Sequence, residues 1–102
     1  MRFIVLFTFL LNTTFMLAQD LGKGNEAYKN RDLEVALKYY ETACDKGVGE
    51  ACYRVGEMYD IGLWVLADES KALNYFKKAC NLKYDKGCTT VRDRDESLRG
   101  GW

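Results

Sequence analysis

Apolar residues recur at intervals of three and four along most of the chain, which is the spacing of one face of an α-helix. One apolar stripe consists of Leu33, Ala36, Leu37, Tyr40 and Cys44, a second of Cys52, Val55, Gly56 and Tyr59, and a third of Ala72, Leu73, Phe76, Ala79 and Cys80. The pattern predicts helices over Leu21–Asn30, Leu33–Asp45, Glu50–Tyr59 and Glu69–Leu82, and a last helix that starts near Lys86.

This helical pattern repeats after 36 residues, which indicates stacked copies of one unit. Cys44 and Cys52 return as Cys80 and Cys88, and the apolar positions around them move in step. The sequence therefore predicts an all-α fold, an α/α solenoid of antiparallel helix pairs. In the last helix, charges from Arg92 to Glu96 replace the apolar stripe. We expect the array to stop there, with a polar cap or a frayed tail.

Several residues mark the ends and contacts of the predicted helices. Asp32 and Asp68 stand at N-cap positions, where an aspartate accepts a hydrogen bond from a free amide of the first turn. Gly47 fits a C-terminal stop. Gly56, inside a predicted helix, would let a neighbouring helix approach closely. These residues indicate that each unit is a pair of antiparallel helices.

The first residues differ from the rest of the chain. Met1 and Arg2 give a short positive start, an apolar run follows, and Ala18 ends the segment with a small residue. This order is typical of a secretory signal peptide over residues 1–18. The alternative is a membrane anchor, but Asn12 interrupts the apolar run before it reaches the length of about 20 residues that a spanning helix needs. We therefore expect a secreted or periplasmic protein, without membrane contact after cleavage.

The four cysteines fit that compartment, because disulfides persist outside the cytosol. We predict the short-loop bridges Cys44–Cys52 and Cys80–Cys88. The rival pairing, Cys44 with Cys80 and Cys52 with Cys88, requires equivalent positions of neighbouring units to touch. A zinc site is the other alternative, but the chain has no histidine and no closely spaced cysteine pair. No metal and no other cofactor are expected.

The bridged unit resembles a known repeat. The stretch from Asp68 to Cys80, continued by Lys86-Gly87-Cys88, resembles the Sel-one-like repeats of the helicobacter cysteine-rich protein family, and residues 24–44 resemble the opening unit of those proteins. The resemblance implies one disulfide per repeat. It also implies a helical repeat domain over residues 19–97, with about two repeats and a partial third, followed by a tail at residues 98–102.

The resemblance also implies a function. The family is assigned as weak β-lactamases with affinity for penicillin-like compounds, and related repeats are viewed as adaptors that bind peptides on a concave face. Two departures limit this expectation. The family's glycine-rich turn is here Gly62-Leu63-Trp64-Val65, so Trp64 stands at a place that tolerates a left-handed backbone. The chain is also shorter than the family's usual array.

Catalytic motifs are missing from the sequence. A serine β-lactamase needs a serine followed three residues later by a lysine, and neither Ser70 nor Ser97 has one. Without histidine, a zinc enzyme or an activated thiol is not indicated. The catalytic residues of any hydrolysis are therefore unknown. The formal net charge of zero gives no electrostatic reason to expect nucleic acid as a partner.

The seven tyrosines give the candidates for binding. Helical spacing indicates that Tyr28, Tyr40, Tyr59 and the equivalent Phe76 fill helix interfaces. Tyr39 and Tyr75 lie beside the core stripe on successive units and are the candidates for a surface groove. Trp64 is either a third binding residue or a plug in its turn.

The charged pair Lys77-Lys78 and the run from Arg92 to Glu96 are interpreted as solvated helix faces, with a recognition patch as the alternative. Two functions follow, and the third hypothesis is a shortened family member that folds poorly and does little. The first is a secreted, disulfide-containing repeat module that binds peptides, protein partners or cell-wall-related ligands such as peptidoglycan. The second is weak hydrolysis of β-lactams, with penicillin- and cephalosporin-type compounds as substrates.

Overall fold

Five helices form the part of the chain that the computed structural model describes, residues 19–100, with side chains described up to residue 96. These are α1 (residues 19–29), α2 (Leu33–Asp45), α3 (Gly49–Ile61), α4 (Glu69–Asn81) and α5 (Asp85–Gly100). No strand occurs within this range. Each predicted helix is present, with bounds that differ by at most two residues where both ends were predicted. The predicted signal peptide lies outside the described residues.

The helices pack in sequence order. Consecutive pairs from α2 to α5 are in contact, and α3 with α4 makes the most extensive of these interfaces. Most residues of the predicted stripes lie in the core, although Leu33, Tyr59, Leu73 and Cys80 are only half-buried. With Ala43, Ala51 and Met58, which the stripes did not include, the buried residues are Ala36, Leu37, Tyr40, Ala43, Cys44, Ala51, Cys52, Val55, Met58, Ala72, Phe76 and Ala79. The all-α solenoid of antiparallel helix pairs is thus confirmed.

Two close helix contacts depend on glycine. A Cβ atom on Gly56 would lie 2.6 Å from the Phe76 ring, which confirms the close approach that the sequence predicts there. Gly24 in α1 has the same relation to Tyr40, at 2.7 Å. Because a core at crystal-like density has no room for a further methyl group, these two glycines set the spacing between neighbouring helices.

The helix ends follow the sequence in part. Asp68 Oδ1 accepts a hydrogen bond from the Lys71 amide at 3.0 Å and caps α4 as predicted. Asp32 stands at the N-cap of α2 but makes no side-chain cap hydrogen bond. Gly47 follows α2 with a φ of 95°, so the predicted stop is present. The sequence predicted a polar cap or a frayed tail after Arg92, and the structure has helix there, since α5 continues to Gly100.

Both predicted disulfides are formed. Cys44 joins Cys52 and Cys80 joins Cys88, each across a turn between antiparallel helices. The rival pairing is therefore wrong, and the described residues contain no free cysteine.

Candidate functional site

Tyr75, one of the two predicted groove tyrosines, lies half-buried on α4. Its ring stacks on Tyr59 of α3, with centroids 5.9 Å apart and planes inclined by 6°. The ammonium of Lys71 lies 5.2 Å from the centroid of the Tyr59 ring, close enough for a cation–π contact. Sequence analysis placed Tyr59 in the core, but it is half-buried and shares this surface.

Carboxylates of α2 face the same tyrosine. Burial raises the pKa of the Tyr75 hydroxyl, and the charge of Glu41, the Tyr59 hydroxyl and the charge of Asp45 raise it further. Burial also raises the pKa of Glu41; nearby Asp45 acts in the same direction, whereas Lys71 opposes it. The surface between α2 and α4 therefore combines stacked aromatic rings with charges of both signs.

An open groove of about 480 Å³ adjoins this stack. It is lined by Tyr59, Val65, Leu66, Ala67, Asp68 and Lys71. Tyr59 connects the groove to Tyr75 through the ring stack. We call the surface formed by Glu41, Asp45, Tyr59, Lys71 and Tyr75 the tyrosine face.

Tyr39, the other predicted groove tyrosine, belongs to a separate pair. It is half-buried on α2, and the ammonium of Lys23 lies 5.6 Å from its ring centroid. Tyr39 and Tyr75 are 36 residues apart and occupy equivalent positions, but one contacts a lysine and the other a tyrosine. No contact joins the two candidates among the described residues.

Trp64 lies in the turn between α3 and α4 and is 61% exposed, so it is not a plug. Its φ of 64° confirms the left-handed backbone expected there. Ile61 and Leu66 flank it with exposures of 66% and 92%. We call Ile61, Trp64 and Leu66 the apolar turn.

A polar cluster that sequence analysis missed lies around Tyr40. The Tyr40 hydroxyl donates a 2.6 Å hydrogen bond to Asn25 Oδ1 of α1, and burial raises its pKa. Arg54 of α3 forms ion pairs with Glu57 at 3.0 Å and Glu50 at 3.9 Å. Burial opposes the charge on Arg54, but its pKa is raised because the hydrogen bond and charge of Glu57, together with the charges of Tyr40 and Glu50, outweigh burial. The two ion pairs of Arg54 lie within α3, whereas the bond from Tyr40 to Asn25 joins two helices and depends on the fold.

Two tyrosine predictions can be compared directly with burial. Tyr40 is 2% exposed, as its equivalent Phe76 is, so both fill helix interfaces as predicted. Tyr28 is 43% exposed, and its assignment to the core is wrong. It stands near the end of α1, where no described helix covers its ring.

The charged stretches are more than solvated faces. Lys78 pairs with Asp45 at 3.6 Å. Arg94 of α5 pairs with Asp60 at 2.6 Å and with Glu69 at 3.7 Å, and its guanidinium carbon lies 5.3 Å from the Phe76 ring centroid. Arg94 therefore ties three helices together, which its place in a run of charges did not reveal.

The described residues hold no assembled catalytic centre of a familiar kind. Ser70 is exposed in the first turn of α4, and all four cysteines are bridged. No group of three or more His, Cys, Asp or Glu side chains within the described range could hold a metal ion. In the same range, no helix has the length and apolar character needed to cross a membrane.

Comparison with known proteins agrees with the fold. The family model for the Sel1 repeat matches residues 14–48 and 49–84. These repeats meet between Cys44 and Cys52, and the second ends between Cys80 and Cys88. Each disulfide therefore joins one repeat to the helix that follows it in the array. Repeats of this kind mediate protein–protein interaction.

Two relatives show how far the similarity extends. The chain is 38% identical over 60 residues to the Helicobacter pylori (strain J99) protein named "Putative beta-lactamase HcpE". The matched region covers 56% of this chain and 17% of that protein. The chain is also 32% identical over 77 residues to cytochrome c oxidase assembly factor 7A of Xenopus laevis, covering 74% of this chain and 32% of the relative. The chain thus spans a third or less of these relatives.

The bridges and the similarity to HcpE indicate an extracytoplasmic protein, because disulfides persist in oxidising compartments. The family model covers well over half of the sequence, and its two matches are consecutive repeats. Helix order, period and bridge positions agree with that match. The chain belongs to the Sel1 repeat family.

Proposed function

We propose that this protein is a secreted or periplasmic repeat module that binds a peptide or a protein partner at the tyrosine face. The observation that carries the proposal is the half-buried stack of Tyr59 and Tyr75 beside an open groove. Tyrosine is enriched in binding surfaces because it offers a large apolar ring and a polar tip. Tyr39, on the preceding repeat, is proposed to extend this surface.

Size and charge support a peptide ligand. A groove of about 480 Å³ has the volume of an ordinary ligand site, although it is shallow and largely open to solvent. Lys71 can meet an acidic group of the partner and Glu41 a basic one. Because both charges lie within the tyrosine face, they would fix the orientation of a bound segment more than they would increase its affinity.

Export belongs to the same proposal. Residues 1–18 are proposed to be a signal peptide that is removed, which would leave residues 19–97 as the repeat domain and 98–102 as a tail. Two disulfides support an oxidising destination. Intact mass of the exported protein would test this directly, since a mature chain starting near Gln19 is expected.

The experiment for partner binding is selection of displayed random peptides on the oxidised protein, followed by affinity measurement with the recovered peptides. We expect Tyr75→Ala to weaken binding about tenfold or more, the range of a hot-spot residue. Tyr28→Ala is the matched control, since Tyr28 is an exposed tyrosine outside the tyrosine face. Thermal melting of each variant separates loss of binding from loss of fold.

Peptides that bind Tyr75→Ala as well as the parent protein would remove the tyrosine face from the proposal. A selection that returns no sequence family would argue against peptide binding altogether.

Hydrolysis of β-lactams is the second candidate. The similarity to HcpE favours it, because the name of that protein includes β-lactamase. No arrangement of the described side chains supports it. Peptidoglycan-like ligands would fit the same compartment. Nitrocefin turnover that scales with protein concentration and survives repurification would support hydrolysis, whereas turnover that disappears on repurification would reject it.

A further inference from the structure

A single connection joins two covalently closed parts of the molecule. The disulfides Cys44–Cys52 and Cys80–Cys88 close the hairpins α2–α3 and α4–α5, and residues 62–68 run between these hairpins. We call residues 62–68 the hinge. Because each bridge lies within one hairpin, both hairpins keep their shape if the hinge opens. The α4–α5 hairpin can therefore leave the α2–α3 hairpin as a unit.

The contacts between the two hairpins do not depend on their connection. A Cβ atom on Gly56 would lie 2.6 Å from the Phe76 ring, and the centroid of the Tyr53 ring lies 5.1 Å from that of Phe76. On the surface, Arg94 pairs with Asp60 at 2.6 Å. All of these contacts join α3 to α4 or α5. The same interface therefore fits equally well between the α2–α3 hairpin of one chain and the α4–α5 hairpin of a second copy.

The hinge is held to the helices at its two ends. The Leu63 amide donates to the Met58 carbonyl at 2.9 Å, and the Asp68 amide donates to the Tyr59 carbonyl at 2.9 Å. Within the described chain, no amide of residues 64–67 donates to a backbone carbonyl. Opening of the hinge therefore breaks few hydrogen bonds.

The closed hinge leaves apolar groups in water. The apolar turn contains the three most exposed large apolar side chains of the described residues. Leu63 and Val65 of the hinge pack against the core instead. In a dimer made by exchange of hairpins, both hinges cross between the same two halves, so the two apolar turns meet. Their contact removes apolar surface from water, which favours the exchange.

Backbone strain favours opening at the same place. Trp64 has a φ of 64°, a left-handed conformation that is unfavourable for a side chain and that an extended hinge releases. Arg31 and Lys83 share this conformation in the other turns. The Cys80–Cys88 bridge keeps the turn of Lys83 closed, and residues 30–32 around Arg31 are all polar. Among the described turns, the hinge alone combines strain with exposed apolar groups.

We propose that two copies of this chain exchange their α4–α5 hairpins through the hinge and form a twofold dimer. Each α4–α5 hairpin packs on the α2–α3 hairpin of the other copy with the contacts that it makes in the monomer. Residues 62–68 span up to about 23 Å when extended, which lets the hairpin reach the second copy. Exchange needs no new complementary surface, because the interface exists within one chain. This identifies a second copy, rather than an unrelated protein, as the partner.

Exchange also changes the tyrosine face. Tyr59 and Tyr75 lie on different hairpins, so their stack forms between two chains in the dimer. The groove beside the stack is lined by residues 65–67 and is lost when the hinge opens. The monomer is therefore the form that binds the peptide. This consequence rests on the proposed function, whereas the exchange itself does not.

Two charge-reversal variants of the oxidised protein test the exchange. Asp60→Lys and Arg94→Glu each place like charges at the ion pair that joins the hairpins. An exchanged dimer of one variant with the other restores opposite charges at both interfaces. Glu69 also pairs with Arg94 but lies on the same hairpin, so its effect is equal with and without exchange. The variants are mixed, unfolded in urea, refolded at high concentration without reductant, and analysed by native mass spectrometry.

Random pairing would give heterodimers and homodimers in equal total amounts. We expect heterodimers to exceed homodimers about tenfold, because two repulsive pairs are replaced by two attractive ones. Absence of dimers would overturn the proposal. Dimers in the random ratio would overturn it too, because copies that associate side by side keep the repulsive pair within each chain.

The matched control is the pair of variants Asp20→Lys and Lys46→Glu. These residues form an ion pair at 2.7 Å, but both precede the hinge in the chain, so exchange at the hinge does not restore their pairing. We expect dimers of these two variants in the random ratio. An excess of heterodimers here would mean that the chain opens elsewhere, and the assignment to residues 62–68 would be wrong.

Substitutions at the hinge test the two features that favour its opening. Trp64→Gly removes both the strain and an apolar ring, and should lower the association constant of the dimer about tenfold or more. Leu66→Ser removes only apolar surface and should lower it about tenfold. Val35→Ser, at an exposed position of α2, should leave it unchanged. Size-exclusion chromatography over a range of concentrations measures these constants, and thermal melting shows that each variant is folded. Equal association of all three variants and the parent protein would contradict the contribution of the apolar turn.

Discussion

The two hairpins closed by a disulfide, α2–α3 and α4–α5, have the same geometry at the bridge and very different surroundings. The bridged Cα atoms are 4.6 and 4.5 Å apart. Cys44 and Cys52 are 1% and 0% exposed, whereas Cys80 and Cys88 are only half-buried. The bridges themselves therefore do not decide how deeply a hairpin is buried.

The difference comes from the next helix. α4 packs on the first hairpin, with Phe76 placed over Gly56. No helix among the described residues covers α4–α5 in this way. Buried Met58 of the first hairpin corresponds to Arg94 of the second, which reaches Asp60 across the surface. Closure of a hairpin is thus a local property, while its burial depends on the neighbouring repeat.

Removing each bridge should produce the largest difference between the hairpins. The loops are of equal length, so loss of chain-entropy stabilisation costs about 2.5 kcal/mol in either hairpin. Cys44→Ala with Cys52→Ala also leaves a cavity in the core and should cost about 4 kcal/mol in total. Cys80→Ala with Cys88→Ala should cost about 2.5 kcal/mol. Urea unfolding followed by circular dichroism measures both free energies.

Partial reduction sharpens the same comparison. We expect a low concentration of reductant to open Cys80–Cys88 first, because half-buried sulfurs are accessible to the attacking thiolate. Peptide mapping after alkylation identifies the opened bridge. Two results would contradict a protective effect of α4 on the first bridge. One is that Cys44–Cys52 opens first, and the other is that the two double substitutions lower the free energy of unfolding equally.

The turns after α2 and α4 should give a smaller effect. Gly47 and Lys83 occupy equivalent positions with φ of 95° and 68°, a region that side chains disfavour. Lys83→Gly should raise the free energy of unfolding by about 1 kcal/mol, and Gly47→Ala should lower it by about the same amount. Chemical denaturation measures both changes.

Lys77→Gly provides the control, since Lys77 is exposed within α4 and glycine there should destabilise by about 1 kcal/mol. If Lys83→Gly destabilised the protein as Lys77→Gly does, the left-handed backbone at Lys83 would not be a source of strain.

The smallest effect concerns Glu41 and its equivalent, Lys77. Since the pKa of Glu41 is raised in the fold, its contribution to stability is present below the ordinary glutamate pKa and is lost as pH rises through the raised value. Glu41→Gln should therefore stabilise at neutral pH, by no more than about 0.5 kcal/mol. The gain should vanish in acid, where the glutamate is protonated too.

Thermal melting of Glu41→Gln and Lys77→Gln at neutral and acidic pH measures this difference. Lys77 is exposed, so the change in stability caused by Lys77→Gln should not differ in this way between neutral and acidic pH. A gain from Glu41→Gln that persists at acidic pH would mean that burial of its charge is not the cause.

Much of the architecture could be predicted because it is encoded locally. The period of the apolar residues indicated the helices, and Asp68 and Gly47 marked two of their ends. The same local rule failed at Asp32, which has the right position but makes no cap hydrogen bond. A cap depends on the path of the chain before the helix, and a single residue type does not encode that path.

The candidate site was predictable only in outline. Tyr75 and Trp64 were selected for their residue types and their places in the repeat. Their surroundings depend on contacts between helices: Tyr59 stacks on Tyr75 across the α3–α4 interface, and Glu41 approaches it from α2. Tyr28 was assigned to the core on helical spacing alone, although spacing does not show whether another helix covers that face.

By itself, the sequence determined the helices and the repeat and favoured the short-loop pairing of the cysteines, because spacing along one chain limits which residues can share a helix face or close a short loop. Only the tertiary structure decided which bridge is buried, which tyrosines meet and where apolar side chains remain in water. Those properties depend on neighbours far apart in sequence. Arg94 shows this most clearly, since nothing in its charged surroundings indicated contacts with Asp60, Glu69 and Phe76.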